Sequence, residues 1–471
     1  MENKHPRRSG GPLSRFSLPL DPPSIRTWFW WASAGTVALF LLKFSVTGFG
    51  VYGDGLGYYT PVRSLLFDGD LRVDNEYRYY AESAEAFGAG ARVFGEVPQF
   101  SKYTLGLGVV LLPFFAWGHL LALGLRGVGL PVALNGLTWP YELVYCLGSV
   151  LLGIASLVLS YRIARLFSSP PAAALATGGI WFASPLSFYL TVEVSMSHAV
   201  SAFLVTAFFW GALTWPWLTD WRLQAALGGL IGLAAWARPQ DGLFIAVPIL
   251  WQGAEQYRAG KLGPYFWAIA RLGFVALLLQ TPQLLVYLWQ YGGLSQIPYL
   301  EEGQARGYGG SFHWFQPALW QVLFSGHRGL FIWHPLTLAS VVGLVLFARR
   351  RPALGCALLA AFLLQVYFIG AWWCWWQGAS VGGRMFSNST ALFVLGLAIL
   401  WDAWSQGRAR IWRRIGWLTL FLIFWNALII LQYQSALIPP EAPVTLGELY
   451  GNQARVIPHF LAHLQRRLGG G

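Results

Sequence analysis

The stretch WFWWASAGTVALFLLKFSVTGFGVYGDGLGYY, residues 28–59, joins an apolar run directly to an acidic residue that lies among glycines. Residues 28–49 are long and apolar enough to cross a bilayer as a helix. Asp54 follows within a few residues, between Gly53 and Gly55. A carboxylate so close to lipid is poorly solvated and costly to keep charged. We therefore expect this carboxylate to serve a function.

The composition is that of a membrane protein. Of 471 residues, 56% are hydrophobic and only 11% are charged, a balance that a soluble globular protein of this length does not show. The 26 Trp and 20 Tyr residues can supply aromatic belts at both membrane surfaces. The formal net charge is +12, but the basic residues mostly form short clusters beside apolar runs, which indicates membrane topology and not nucleic-acid binding.

The apolar runs predict an all-α polytopic membrane protein with about 11–13 membrane helices. A run that is interrupted near Arg238 predicts a broken pair of helices. The predicted spans are 28–49, 103–125, 139–160, 171–192, 199–218, 224–238 with 241–252, 266–291, 329–348, 352–371, 388–404 and 415–433.

The basic clusters predict the topology. Residues 349–351 and 408–414 carry the strongest clusters between spans, and both are expected to be cytoplasmic. A count of crossings from these clusters agrees with a cytoplasmic N-terminus only if 103–125 enters and leaves the membrane on one side. Residues 50–138 then form one external loop that is partly embedded in lipid.

Three regions follow from this topology. Residues 1–27 contain several arginines and prolines and are predicted to be a disordered basic cytoplasmic leader. Residues 28–433 form the transmembrane domain. Residues 434–471 form a short extracytoplasmic tail.

Unusual polar residues collect on the predicted external side. Between residues 50 and 102 there are eight acids against five bases, most of which are expected to form the solvated face of a loop. Asp54 differs because it is next to the membrane and its glycine neighbours let the backbone approach a ligand. Glu193 and His198 lie in YLTVEVSMSHA at a short turn between spans, where helix capping is an equally good explanation.

Several cations share this side. They suit a phosphorylated lipid, whose negative charge they neutralise at the headgroup. Aromatic faces and carboxylates suit a sugar, and Tyr58 and Tyr59 follow Asp54 directly. An ionised carboxylate can accept a proton from an attacking hydroxyl or amine. The candidate cationic residues are Lys102 in FSKYTLG, Arg238 in ARPQDG, His327 and Arg328 in SGHRGLFIWH, and Arg384 in WWCWWQGASVGGRMF.

The order of these parts resembles the GT-C superfamily of integral-membrane glycosyltransferases. This superfamily includes the aminoarabinose transferases of lipid A, the protein O-mannosyltransferases and the catalytic subunits of oligosaccharyltransferases. The resemblance rests on the acidic residue in VYGDGLGYY after the first span, on the embedded segment opened by Lys102, on the turn with Glu193 and His198, and on the late motif WWQGASVGGR. It implies a GT-C-like fold and a polyprenyl-phosphate-linked sugar donor.

The resemblance also implies roles for individual residues. Asp54 takes the place of the catalytic base and Lys102 that of a residue that contacts the donor phosphate. Glu193 and His198 match a position that assists the site, sometimes through a divalent cation. Because an Asp is frequent there in the family, metal use stays open, with Asp54, Glu193 and His198 as candidate ligands and no other cofactor expected.

The expected reaction is transfer of a sugar to a glycolipid, lipopolysaccharide or protein outside the cytoplasm, at a bacterial inner membrane. Two alternatives remain. A multi-span transporter or flippase would explain the broken helices at Arg238. An O-antigen ligase or polymerase would keep its basic residues in a late external loop and would not need Asp54.

Overall fold

The computed structural model describes residues 21–86, 93 and 96–469. Over these residues the regular structure is helical, and strand-like pairing is confined to two isolated bridges, Arg72 with Phe100 and Phe312 with Trp372. The predicted all-α architecture is confirmed. The first helix begins at Pro23, inside the predicted leader, whose residues 1–20 lie outside the described part of the chain.

Twenty-one α-helices, α1 to α21, follow one another along the described residues. In chain order they are Pro23–Thr47, Asp54–Phe67, Asp74–Ala86, Gly106–Gly127, Trp139–Arg165, Pro170–Phe182, Leu186–Thr191, His198–Thr214, Trp221–Ala237, Ala246–Arg258, Leu262–Leu278, Thr281–Tyr291, Pro298–Ala305, Leu319–Phe324, Leu330–Trp333, Pro335–Arg350, Pro352–Ala371, Thr390–Ser405, Ala409–Gln434, Leu446–Gly451 and Val456–Gly469.

Seven helical segments in the described residues are long and apolar enough to cross a membrane. The other predicted spans correspond to shorter helices, such as α8, or to pairs of helices, so the number of crossings stays a prediction. The seven segments are Pro23–Thr47, Gly106–Gly127, Trp139–Arg165, Leu262–Tyr291, Pro352–Ala371, Arg384–Ser405 and Ala409–Gln434.

Several predicted spans are interrupted next to a proline, which cannot continue the helical hydrogen-bond pattern of the preceding residues. The run 171–192 divides into α6 and α7 just before Pro185. The predicted break at Arg238 is confirmed, because α9 ends at Ala237 and a 3₁₀ turn over Pro239–Ile245 leads into α10.

The centre of the bundle is α18, most of whose residues are buried. It packs closely against α16 at two glycines. A Cβ atom at Gly343 would lie 1.8 Å from the Gly396 carbonyl oxygen, and one at Gly396 would lie 2.1 Å from that of Ser340. Small residues allow this approach of two backbones, which van der Waals packing then stabilises.

The two ends of the predicted loop 50–138 meet at one end of the bundle. The Glu142 carboxylate at the start of α5 accepts a hydrogen bond of 2.9 Å from the Gly50 amide, just after α1. The Tyr59 hydroxyl in α2 donates a 2.5 Å hydrogen bond to the carbonyl of Gly136, just before α5. This is the arrangement that a single loop requires. The route of α4 through lipid stays a prediction.

Candidate active site

Asp54 is the first residue of α2, and the segment before it is held in place. Gly53 precedes it with a φ of +56°, a conformation that favours glycine. Further back, the amides of Gly50 and Val51 both donate to Glu142, at 2.9 and 3.0 Å. A carboxylate in the first turn of a helix is stabilised by the helix dipole. The side chain of Asp54 remains 40% exposed, which leaves it accessible to a substrate.

The glycines that follow Asp54 have a different purpose from the predicted one. A Cβ atom at Gly55 would lie 2.1 Å from the Ser195 hydroxyl oxygen, and one at Gly57 would lie 2.1 Å from the Tyr103 ring. These glycines therefore admit the protein's own side chains, and the space expected for a ligand is filled there. They bring the turn before α8 and the segment before α4 against α2.

Arg384 faces Asp54 from the last long loop. One of its guanidinium nitrogens, Nη1, lies 3.4 Å from the Asp54 carboxylate oxygen Oδ2, and the arginine side chain is 13% exposed. Gly383 adopts a φ of +69° and its amide donates to the Arg328 carbonyl, which directs the chain into the site. The side chain of Gln377 accepts a 2.7 Å hydrogen bond from the Met385 amide. The loop is thereby held on both sides of Arg384.

Glu193 is a buried carboxyl in the turn between α7 and α8. Its oxygen Oε2 has no hydrogen-bond partner within the described residues. Burial raises the pKa of Glu193 to about 7, and the Asp54 carboxylate raises it further while the Arg384 and Lys43 cations oppose the shift. Glu193 therefore shares the electrostatic environment of the Asp54 and Arg384 pair.

His198 begins α8 and contacts a different cation. Its ring nitrogen Nδ1 lies 3.1 Å from Nη1 of Arg238, and its ring centroid lies 3.9 Å from that of Tyr189. Ser197 is the N-cap residue of α8 and no side chain caps the helix by a hydrogen bond, so the capping explanation is wrong. An arginine in an apolar run is expected to need a polar partner, and for Arg238 that partner is His198.

Lys102 is occupied by an ion pair. Its ammonium nitrogen lies 3.1 Å from Glu302 in α13, and the same glutamate pairs with Arg306 at 3.2 Å. The ammonium also lies 5.4 Å from the ring centre of Tyr103. Tyr103 is partly buried and lies beside Asp54, so Lys102 is one side chain removed from the base candidate.

Arg328 and His327 hold the C-terminal tail. The buried Arg328 guanidinium donates four hydrogen bonds, to the carbonyls of Ser380, Pro439, Pro440 and Ala442. His327 lies 2.9 Å from a further tail carbonyl and stacks on a tryptophan ring. These contacts give both residues a structural role, and their contact with substrate stays a prediction.

The two tyrosines after Asp54 differ from each other. Tyr59 is fully buried and its hydroxyl is bonded to a backbone carbonyl, so it belongs to the core and not to a sugar-binding surface. Tyr58 lies at the site, where its hydroxyl accepts from Ser197 at 3.3 Å and its ring centroid is 4.6 Å from that of Tyr103.

The structure contains a buried polar network that the sequence analysis does not predict. Asp241 is fully buried and accepts hydrogen bonds from Ser201 and from Asn388, the latter at 2.8 Å. Asn388 also donates to Gln365, and Gln240 donates to the carbonyl of Met385 at 3.0 Å. The network joins the break after Arg238 to the segment that carries Arg384. The one sequence feature that indicates this network is Asp241 itself, an acidic residue in the interrupted apolar run at ARPQDG.

The three candidate metal ligands do not form a cluster in the described part of the chain. No three His, Cys, Asp or Glu side chains in this part of the chain form a group that could hold a metal ion. Among the three candidates, His198 turns its Nδ1 toward the Arg238 cation, which opposes a second positive charge. Asp54, Glu193 and His198 therefore do not fit a shared metal site in this arrangement, and metal use stays open.

No protein-family model and no curated protein sequence matches the chain. The oligosaccharyltransferase of Archaeoglobus fulgidus, solved in complex with Zn and sulfate, aligns with a TM-score of 0.52 and 14% identity over 88% of this chain. The chain spans 58% of the length of that protein. ArnT from Cupriavidus metallidurans in the apo state aligns with a TM-score of 0.48 and 14% identity, over 94% of this chain and 78% of that one. The likeness to the oligosaccharyltransferase is one of fold, and it confirms the predicted all-α membrane-protein architecture.

Proposed function

We propose that the chain is a membrane glycosyltransferase that moves a sugar from a polyprenyl-phosphate donor to an acceptor outside the cytoplasm, with Asp54 as general base. One observation carries the proposal: a carboxylate that is 40% exposed stands 3.4 Å from a largely buried arginine. This supplies a proton acceptor and a phosphate-binding cation side by side. The proposal is further supported by a fold like that of an oligosaccharyltransferase.

The reaction we propose is a single displacement with inversion. The acceptor hydroxyl or amine attacks the anomeric carbon of the sugar as Asp54 takes its proton. The bond between that carbon and the phosphate oxygen breaks, and its electron pair leaves with the polyprenyl phosphate. A positioned general base of this kind contributes about 10²–10⁴ in rate.

Arg384 is the principal cation for the leaving group in this proposal. Negative charge on the phosphate grows as the sugar departs, so a fixed cation stabilises the transition state more than the ground state. The planar guanidinium can hold two phosphate oxygens at once. Lys102 is a second candidate, because it is 35% exposed and can exchange Glu302 for phosphate. Arg238 is a weaker candidate since it is buried beside His198.

Glu193 and His198 are proposed to assist the site without taking the acceptor's proton. Glu193 shares the field of Arg384 and Asp54, and burial raises its pKa and so favours its neutral form. A neutral neighbour leaves Arg384 free to interact with Asp54 and phosphate. His198 orients Arg238 through their 3.1 Å contact.

The partners and location follow from the same hypothesis. The donor is a polyprenyl-phosphate-linked sugar, the acceptor is a glycolipid, lipopolysaccharide or protein, and membrane lipids surround the helices. We place the chain in a bacterial inner membrane with a cytoplasmic leader over residues 1–27, an extracytoplasmic active site and an extracytoplasmic tail over residues 434–471.

A transporter or flippase is the second candidate. The observation in its favour is the polar network around Asp241, which is buried where α9 is interrupted, since transporters place discontinuous helices at their substrate sites. An O-antigen ligase remains a third alternative, and it would not need Asp54.

Mass spectrometry of membrane glycolipids tests the proposal. We compare cells that lack the protein with cells that express the wild type or Asp54→Asn. The proposal predicts a lipid, lipopolysaccharide or protein that gains one sugar with the wild type only. If the variant restores the sugar as well as the wild type does, Asp54 is not the base and a transporter or ligase becomes the better explanation.

A further inference from the structure

A second site candidate lies far from Asp54. A cavity of about 390 Å³ opens where the end of α5 and the start of α6 meet the connection between α16 and α17. Its lining includes the three arginines Arg165, Arg350 and Arg351, together with Asp402 on α18. No residue of the candidate active site lines it. The cavity therefore needs an explanation of its own.

The cavity lies at the end of the bundle opposite the active site. The 20 residues of α17 separate Arg351 from the loop that carries Arg384. At 1.5 Å per residue this helix is about 30 Å long, which matches the hydrocarbon thickness of a bilayer. The cavity thus opens at the membrane surface on the other side from Asp54.

The charge of the cavity is positive. Asp402 is occupied, because its two oxygens accept hydrogen bonds from the amide and the hydroxyl of Ser169, at 2.7 and 2.6 Å. Arg165 is held by Asp21 at 3.3 Å. Arg350 and Arg351 are exposed, and neither has an ion-pair partner among the described residues. Two arginines are therefore left to bind an anion.

The remaining lining is partly apolar. Leu166 and Phe167, which are only partly buried, line the cavity beside the arginines. An anion with attached hydrocarbon matches cations beside an apolar wall at a membrane surface better than a free ion does. We propose that this cavity binds the phosphate of an anionic phospholipid at the membrane surface opposite Asp54, through Arg350 and Arg351.

Lipid retention by the purified full-length protein tests this inference. Native mass spectrometry counts bound lipid after equilibration with micelles that contain phosphatidylglycerol or phosphatidylcholine. The wild type is expected to retain phosphatidylglycerol selectively. Arg350→Gln and Arg351→Gln are each expected to weaken its binding about fivefold, the contribution of one cation near an anionic surface. Arg351→Lys keeps the charge and is expected to retain most of the affinity.

Arg349→Gln is the matched control. Arg349 belongs to the same basic cluster and is exposed, but it does not line the cavity. If this variant loses as much lipid as the cavity variants do, the binding depends only on the total charge of the cluster. The proposed site in the cavity would then be wrong. The absence of any preference for phosphatidylglycerol would also show the site to be wrong.

If inorganic phosphate at millimolar concentration displaces the lipid completely, the ligand is free phosphate and the lipid assignment is wrong. Unchanged thermal unfolding in phosphatidylcholine shows that each variant is folded.

Discussion

Asp54 and Arg384 are 330 residues apart in the sequence, and their side chains approach to 3.4 Å. The carboxylate lies just after α1, and the guanidinium lies between α17 and α18. In the proposed reaction Asp54 takes the proton of the attacking acceptor, and Arg384 stabilises the phosphate that leaves from the opposite side of the anomeric carbon. The site is therefore complete only when the whole bundle has assembled.

Replacing Arg384 is expected to weaken donor use more than replacing Lys102. Arg384 is largely buried beside Asp54, whereas Lys102 must first leave Glu302. A charge-assisted hydrogen bond contributes about 1.5–3 kcal/mol, so Arg384→Met should lower kcat/KM for the donor by about tenfold to a hundredfold. Initial rates at rising donor concentration measure this change.

The control for Lys102 is Arg306→Met. Arg306 also pairs with Glu302, at 3.2 Å, but its side chain is 59% exposed. The Arg306→Met variant should therefore keep the donor kinetics of the wild type. The Lys102→Met variant should raise the KM for the donor. Normal turnover and donor affinity in a folded Lys102→Met, Arg384→Met double variant would contradict the phosphate role of both residues.

The stability of the protein should depend on pH through Glu193. Its folded-state pKa of about 7 lies above the ordinary value of 4.5 because the carboxyl is buried. Between these two values the folded protein binds more protons than the unfolded chain, so the free energy of unfolding falls as pH rises. Glu193→Gln removes this dependence. The thermal midpoint of the wild type relative to the variant should be higher at pH 5 than at pH 8, and an equal difference at both would contradict the burial of Glu193.

Gly55→Ala is expected to destabilise the protein through a steric clash. The added methyl group would lie 2.1 Å from the Ser195 hydroxyl oxygen, and overpacking of this kind costs about 1–3 kcal/mol. Gly127→Ala is the control, since no atom lies within 4 Å of the added carbon there. The second substitution Ser195→Gly should restore much of the loss. Thermal unfolding that is unchanged in Gly55→Ala would show that α2 and the turn do not pack as described.

Arg328→Gln is expected to impair stability and not donor binding. The variant loses most of four hydrogen bonds to backbone carbonyls, three of them in the tail. Leaving buried polar groups unsatisfied costs about 1–3 kcal/mol each. Limited proteolysis should cut the tail near residues 439–442 faster than in the wild type. A normal cleavage rate together with a raised donor KM would instead support the phosphate role first predicted from the sequence.

The architecture could be predicted because hydrophobicity and charge are properties of local sequence. Apolar runs, the interruption at Arg238 and the acidic residue after the first span all appear without knowledge of distant contacts. The role of Arg328 could not be found this way. Its partners lie more than a hundred residues downstream or in another loop, and an arginine beside glycine has the same local pattern whether it binds phosphate or carbonyls.

The glycines around Asp54 show the same limit. A GDG motif indicates that a backbone must come close to something, but it does not identify the neighbour. Ser195 fills the space at Gly55. The role of Asp241 could not be predicted because no residue near it in the sequence is its partner. Asn388 comes within hydrogen-bond distance of Asp241 only in the folded bundle.

Asp54→Asn, assayed against Asp74→Asn, tests the central claim most directly. Both aspartates are the first residue of a helix in the same loop, but Asp74 pairs with Arg72 and Arg78 at the surface, away from Arg384. The measurement is the rate of sugar transfer from a saturating polyprenyl-phosphate donor by the purified protein. The account predicts a rate about 10²–10⁴ lower for Asp54→Asn and a normal rate for Asp74→Asn. A rate within a few-fold of wild type for Asp54→Asn would contradict its role as the general base.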